Sequence, residues 1–244
     1  MARRVHSVAC SLQNSNLNAD VLWLCVPDRS IAAVARELAS QKKSWKGTTV
    51  LHSSGALPSD ELSPLRKQGA SAASLHPLMT FVPGVDQPFA AVPFAVEGDA
   101  IAVRRARQIV RDLEGTVSLL QKSKKPAYHA WGAFTSPLLV SLLVTSEQVA
   151  KLAGIPPKEA RKRMLPIVLQ TIENYINQGP ARAFSGPILR GDLSTLERHL
   201  KALNRRPAAQ KVYRALAQAA LQSLPAAQKK AQQHLLRTKS TNKI

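Results

Sequence analysis

The stretch Asp20–Gly55, "DVLWLCVPDRSIAAVARELASQKKSWKGTTVLHSSG", decides the fold. Val21 to Val26 is a near-continuous apolar run that stops at Pro27-Asp28. Runs of this kind suit a parallel strand buried on both faces. Arg29 to Ser40 then places Ile31, Val34, Ala35 and Leu38 on one face of a helix, with Asp28 or Ser30 positioned to cap it. Thr48 to His52 is a second strand, and it ends in Ser53-Ser54-Gly55. Strand, helix and strand in that order form a βαβ unit, the building block of a parallel sheet.

The same rhythm continues outward. Ser59 to Gln68 reads as a short helix stopped by Gly69, and Ala70 to Leu75 as a strand running into His76-Pro77. Ala91 to Val96 is a further strand. Asp99 to Glu114 is an amphipathic helix with Gly115 as its C-cap, and Thr116 to Leu120 is a last strand. Upstream, Arg4 to Ala9 is a candidate short strand. After Lys125 the strand signals cease. Tyr128–Leu152, Pro157–Gln178, Leu193–Leu203, Ala208–Leu224 and Ala226–Leu236 all carry helical patterns. The expected architecture is therefore α/β followed by all-α. Residues 1–125 form a mostly parallel open sheet, 126–236 a helical domain and 237–244 a polar tail.

Composition fits a folded chain: of 244 residues, 45% are apolar and 20% charged. Ala130 to Ser146 is uncharged but shorter than the roughly 20 residues a bilayer requires, so it reads as a buried core helix. No apolar segment follows Met1-Ala2-Arg3-Arg4 as a signal peptide would require, and a reducing cytoplasm is the expected setting. Cys10 and Cys25 are too few for a disulfide framework or a metal cluster. The formal charge of +19 raises nucleic acid as a partner. The basic clusters, such as Arg104-Arg105-Arg107 and Lys122-Lys124-Lys125, are scattered. The three Trp, three Tyr and five Phe do not interleave with them as a stacking platform would, which argues for a basic solvated surface.

Ligands of open parallel sheets bind beyond the carboxyl ends of the strands. Three ends are marked here: Val26-Pro27-Asp28, Ser53-Ser54-Gly55 after His52, and His76-Pro77. If the three strands are neighbours, small residues and hydroxyls there would admit a phosphate, a ribose or a nicotinamide ring. Histidine titrates nearest neutral pH, which makes His76, on this rim, and His129, near the domain junction, the acid/base candidates. His199 and His234 lie on helices and read as structural. Neither metal-ligand spacing nor a nucleophile elbow is present in the sequence. Arg190, in Arg190-Gly191-Asp192, is either a salt-bridged turn residue or a contact for an anionic substrate. Asp192 or Ser194 is available to cap the next helix.

The ordered segments "ADVLWLCVPDRSIAAVAREL", "VLHSSGAL", "SLHPLMTF", "PFAVEGD", "YHAWGAF", "MLPIVLQTIEN" and "SGPILRGD" resemble a Rossmann-like oxidoreductase family whose C-terminal half is a helical domain of unknown function. That family is similar in architecture to pyrroline-carboxylate reductase, to deazaflavin-dependent NADP oxidoreductases and to the 6-phosphogluconate dehydrogenase group. The resemblance implies NADP or NAD bound by Val26, Pro27, Asp28, Ser53, Ser54 and Gly55, and a small-molecule substrate reduced or oxidised by hydride transfer in an interdomain cleft. It implies His76 and His129 near that cleft, and a homodimer made through the helical domain, with no membrane span. Two departures stand out. The family opens with a strand and a G-x-G-x-x-G loop, whereas the first glycine here is Gly47, and Arg4 to Ser11 matches the family's second strand. The sheet is therefore expected to be truncated at its N-terminus. Ser136-Pro137 also replaces the usual Ser-Asn pair. The alternative expectation is a non-catalytic homologue that binds a ligand or a protein as a helical dimer.

Overall fold

A computed structural model describes residues 11–12, 15, 17–85 and 88–237. The chain divides into two compact units, 1–136 and 137–244. The strand expected over Arg4–Ala9 lies outside the described residues.

The first unit holds one sheet of strands in the order β1-β2-β3-β4-β5. These are β1 (Val21–Leu24), β2 (Thr49–His52), β3 (Ser71–Pro77), β4 (Pro93–Gly98) and β5 (Thr116–Leu119). Neighbouring pairs are parallel except β3 with β4, which is antiparallel. Helix α1 (Asp28–Gln41) joins β1 to β2, α2 (Ser63–Arg66) precedes β3, and α3 (Ala100–Asp112) joins β4 to β5.

The period-two alternation of strands sorts their side chains between two cores. Val50 and Ala72 join Ile31, Leu38, Trp45 and Leu65 on the α1 side. Leu51 and Ala73, one residue further along, join Phe94, Val96, Ala102 and Val110 on the α3 side. The sheet is thus a layer between helices, which is why the central strands read as continuous apolar runs. Strand β1 differs from expectation. It is only half-buried, because it stands at the edge of the sheet among the described residues. Helix starts differ too. Neither Asp28 nor Ser30 caps α1, whose N-cap is Pro27 and lacks a side-chain cap bond. After α3 the chain turns through Glu114, at φ 57°, so the left-handed residue precedes the expected Gly115.

Helix α4 (Lys125–Thr135) closes the first unit. The single helix expected over Tyr128–Leu152 breaks there, because α4 ends at Thr135 and Pro137 starts α5 (Pro137–Ala150). The second unit continues with α6 (Pro157–Gln178), α7 (Pro180–Ala183), α8 (Pro187–Arg190), α9 (Leu193–Leu203), α10 (Pro207–Ser223) and α11 (Lys229–Arg237). Asp192 caps α9 by accepting from the Thr195 N–H at 3.0 Å. Leu200, Ala217, Leu221 and Leu236 form this unit's core.

The uncharged segment Ala130–Ser146 is not a buried core helix. Trp131, Phe134, Leu138, Leu139, Val140 and Val144 are all exposed. Lys122–Ala153 is long and apolar enough to cross a membrane by length and composition. The break at Ser136, where φ is −128° and ψ −82°, divides it into two helices of eleven and fourteen residues. Each is shorter than a span requires.

Candidate functional site

Because β1, β2 and β3 are parallel and in register, Leu24, His52 and Ser74 stand side by side. The residues that follow them therefore emerge at one edge, which is the arrangement the three marked strand ends required. The contacts confirm the convergence. Ser54 Oγ donates to Asp28 Oδ2 at 2.8 Å, linking the end of β2 to the start of α1. Trp23 Nε1 donates to Ser53 Oγ at 2.8 Å. Cys25, an exposed free thiol, has its Sγ 3.8 Å from the same Ser53 oxygen.

The turn after β2 is organised by two side chains. His52 is fully buried, and its Nδ1 accepts from the Ser54 N–H at 3.1 Å. Its Nε2 lies 3.1 Å from the Pro58 carbonyl, an acceptor, so the ring carries its proton on Nε2 and is neutral. Burial pushes its pKa down to about 4. The Pro58 bond opposes that fall, and the Lys125 cation adds to it. Ser54 is equally engaged: its hydroxyl also accepts from the N–H groups of Ala56 (3.2 Å) and Leu57 (2.9 Å). One donation and two acceptances exhaust a hydroxyl. Ser54 thus builds the turn, while Ser53 is half-buried and accepts from Trp23.

Gly55 brings the histidines in. A Cβ at this position would lie 2.7 Å from His76 Nε2 and 2.8 Å from His129 Cδ2, so only glycine lets both imidazoles rest against the backbone. His76 meets His129 edge-on, with ring centroids 6.2 Å apart, and Tyr128 edge-on at 5.6 Å. Its Nδ1 is 3.4 Å from Tyr128 Oη. The His76 pKa is lowered to about 4, first by burial, then by the charges of Lys125 and His129, against the pull of Asp28. The phenol of Tyr128 is shifted up by burial. Trp131 flanks Tyr128, with centroids 5.9 Å apart.

Of the residues expected at the site, Asp28, Ser53, Ser54, Gly55, His76 and His129 are gathered into this one cluster. Val26 packs against the first core, and Pro27 starts α1. Arg190 is the last residue of α8, in the other unit. The residue missed by sequence reasoning is Lys125. It is 1% exposed, and its Nζ donates to Ser54 O at 3.0 Å and Ser74 Oγ at 2.7 Å. In the sequence it hides in a basic run. The signal that finds it is helical spacing, because Lys125, Tyr128 and His129 fall at i, i+3 and i+4, on one face of α4. Burial lowers the Lys125 pKa, against Glu97 and Asp28. Glu97 is itself held by Ser59, accepting from its N–H at 2.6 Å and its hydroxyl at 3.0 Å.

The second unit contains an apolar cavity of about 670 Å³, with Leu142, Val149, Phe184 and Leu216 among its walls. His199 and Tyr213 also line it, joined by a 3.1 Å contact between Nδ1 and Oη.

The chain is similar to several solved structures. BF3122 of Bacteroides fragilis, which carries a provisional NADP oxidoreductase name, is 19% identical with a TM-score of 0.73, over 89% of this chain and 82% of that one. TM1727 of Thermotoga maritima is 23% identical with a TM-score of 0.66, over 81% and 75%. A reductive aminase of Aspergillus terreus, solved with NADPH and ethyl levulinate, is 16% identical with a TM-score of 0.56, over 90% and 80%. At these identities the likeness establishes the fold. No curated protein matches the chain. Residues 2–77 match the Rossmann-like domain, and residues 92–220 match the family described as Domain of unknown function (DUF2520). By a match spanning more than half its length, the chain belongs to the DUF2520 family, with a Rossmann-like domain in front.

Proposed function

We propose that the protein is a soluble, cytoplasmic NAD(P)-dependent oxidoreductase acting on a small molecule. The observation that carries this is the convergence of three strand ends on one edge of a Rossmann-like sheet, with two imidazoles pressed against a glycine turn. The residues there suit the nicotinamide end of a dinucleotide. Ser53 accepts from Trp23 and so keeps a hydroxyl proton, while the Pro27 carbonyl accepts the Ser30 N–H at 2.8 Å and Asp28 has its carboxylate already engaged by Ser54. Val26, Pro27, Asp28, Ser53, Ser54 and Gly55 would hold the cofactor, Ser54 by shaping the turn. When bound, that cofactor supplies or accepts a hydride. His76 and His129 are the groups placed to hydrogen-bond a substrate, and Arg190 remains the proposed contact for an anionic one. NADPH is the first cofactor to test, because two of the structural neighbours were solved with it.

Titrating the full chain with NADPH while following the fluorescence of Trp23 and Trp131 is expected to give a saturable change. Trp23 is bonded to Ser53, and Trp131 lies beside Tyr128, so both report on this edge. A flat titration with both NADPH and NADH removes the oxidoreductase reading and leaves the binding-module alternative.

The protein also acts as a homodimer through α5 and α6. Helix α6 has 22 residues, of which Ala160 is the one that is buried. Leu165, Leu169, Ile172 and Ile176 are 55%, 57%, 44% and 72% exposed. Their spacing of four, three and four is that of a helix–helix seam. Apolar faces of this extent in a soluble protein mark an interaction surface. The native chain is expected to sediment at twice its monomer mass, and Ile172→Glu with Ile176→Glu to sediment as monomer. On a solvated face the same changes would shift stability by no more than about 0.5 kcal/mol and leave the mass alone. A native monomer contradicts the assignment.

A further inference from the structure

Lys125 is fully buried, yet no carboxylate stands within ion-pair reach of it among the described residues. The nearest acidic groups are committed elsewhere, Asp28 to the Ser54 hydroxyl and Glu97 to Ser59. Hydrogen bonding does not require a charge at this position, because Ser74 Oγ already donates to Ser54 O at 3.0 Å. An apolar side chain of similar length would fill the space without the cost of burying an ammonium. What the charge does is act on its neighbours through a medium of low polarity.

The three elements that seat the amine are those that carry the site. Ser54 adjoins Gly55. Ser74 is two residues before His76, on the same face of β3. Lys125 is one helical turn before His129 on α4. We propose that Lys125 is a positioning residue of the candidate site, a fixed buried cation that bars a second positive charge from His76. His76 then works as an uncharged hydrogen-bonding group toward the ligand rather than as a proton carrier in the neutral range. The groups facing His76 are Asp28 from α1 and Lys125, Tyr128 and His129 from α4. Of these, Asp28 is the one whose charge favours a protonated ring. The assignment of a ligand rests on the oxidoreductase reading. The charge relation between Lys125 and His76 does not.

Histidine side-chain NMR titration of the full chain without cofactor tests it, with His76 assigned through His76→Gln. In the native protein His76 is expected to show a midpoint near pH 4. In Lys125→Met it should move up by roughly half to one pH unit. Ser74→Ala, which removes an acceptor but keeps the cation, should leave it in place. A native midpoint between pH 6 and 7 overturns the proposal even if Lys125→Met fails to fold. An unmoved midpoint in Lys125→Met, or an equal shift in Ser74→Ala, also overturns it. NADPH titration of the same samples separates this outcome from failure of the cofactor reading.

Discussion

Acidification from pH 7 to pH 4 is expected to strip about 3 kcal/mol from the stability of the chain through His52 alone. An unfolded histidine takes up its proton near pH 6.5, whereas His52 in the fold does so only near 4. Between those values the unfolded chain binds more protons, so stability falls as pH falls. Above pH 6.5 the contribution of the neutral ring is complete, and below 4 its loss is complete. The main cause is burial, with the Lys125 cation adding to it, and a second proton would also have to land on Nδ1, where the Ser54 N–H already points. His76 acts in the same direction over the same window, with a smaller effect because it is only half-buried. Urea denaturation at pH 7, 5.5 and 4.5 measures the trend. His52→Asn keeps an acceptor for the Ser54 N–H and removes the titration. It should be weaker at pH 7 and show a shallower pH dependence. Equal native stability at pH 7 and 4.5 would show that the ring is not locked neutral.

Gly98→Ala is expected to cost about 4 kcal/mol or more, placing it in the rare severe class. Gly98 ends β4 at φ 141°, a conformation that L side chains rarely adopt. An added Cβ would overlap the Ala72 carbonyl oxygen and lie 2.6 Å from Ala73 Cα, both backbone atoms of β3. Strand β4 cannot retreat, because the Asp99 N–H donates to Ala72 O at 2.9 Å and Asp99 Oδ2 accepts from the Ala72 N–H at 2.8 Å. Those two bonds clamp the β3–β4 junction, the antiparallel one among the described residues. A shift of the denaturation midpoint measures the loss. A variant within 1 kcal/mol of native stability would mean that the junction can open without harm.

The elements were legible in the sequence wherever burial imposed a period. Val50 and Leu51 point to opposite cores, so β2 is apolar throughout, and the spacing of Ile31, Ala35 and Leu38 fixes the buried face of α1. The direction of β4 was not legible, since nothing in Pro93–Gly98 distinguishes a parallel partner from an antiparallel one. The site was partly legible. Gly55, His76 and His129 stood out as residue types, but the role of His52 depends on backbone groups of Ser54 and Pro58 that exist only once the turn forms. Lys125 was obscured because a buried lysine is written with the same letter as its solvated neighbours, Lys122 and Lys124. The apolar run in α4 and α5 misled because hydropathy reports that a surface will be covered without saying by which molecule.

That last point bears on α6. With Ala160 as its one buried residue, this 22-residue helix draws little free energy from its own chain's core, and isolated helices are marginal in water. In the homodimer proposed above, its order would be borrowed from the partner copy that covers Leu165 to Ile176. The folded population of the second unit would then become a function of protein concentration as well as of sequence.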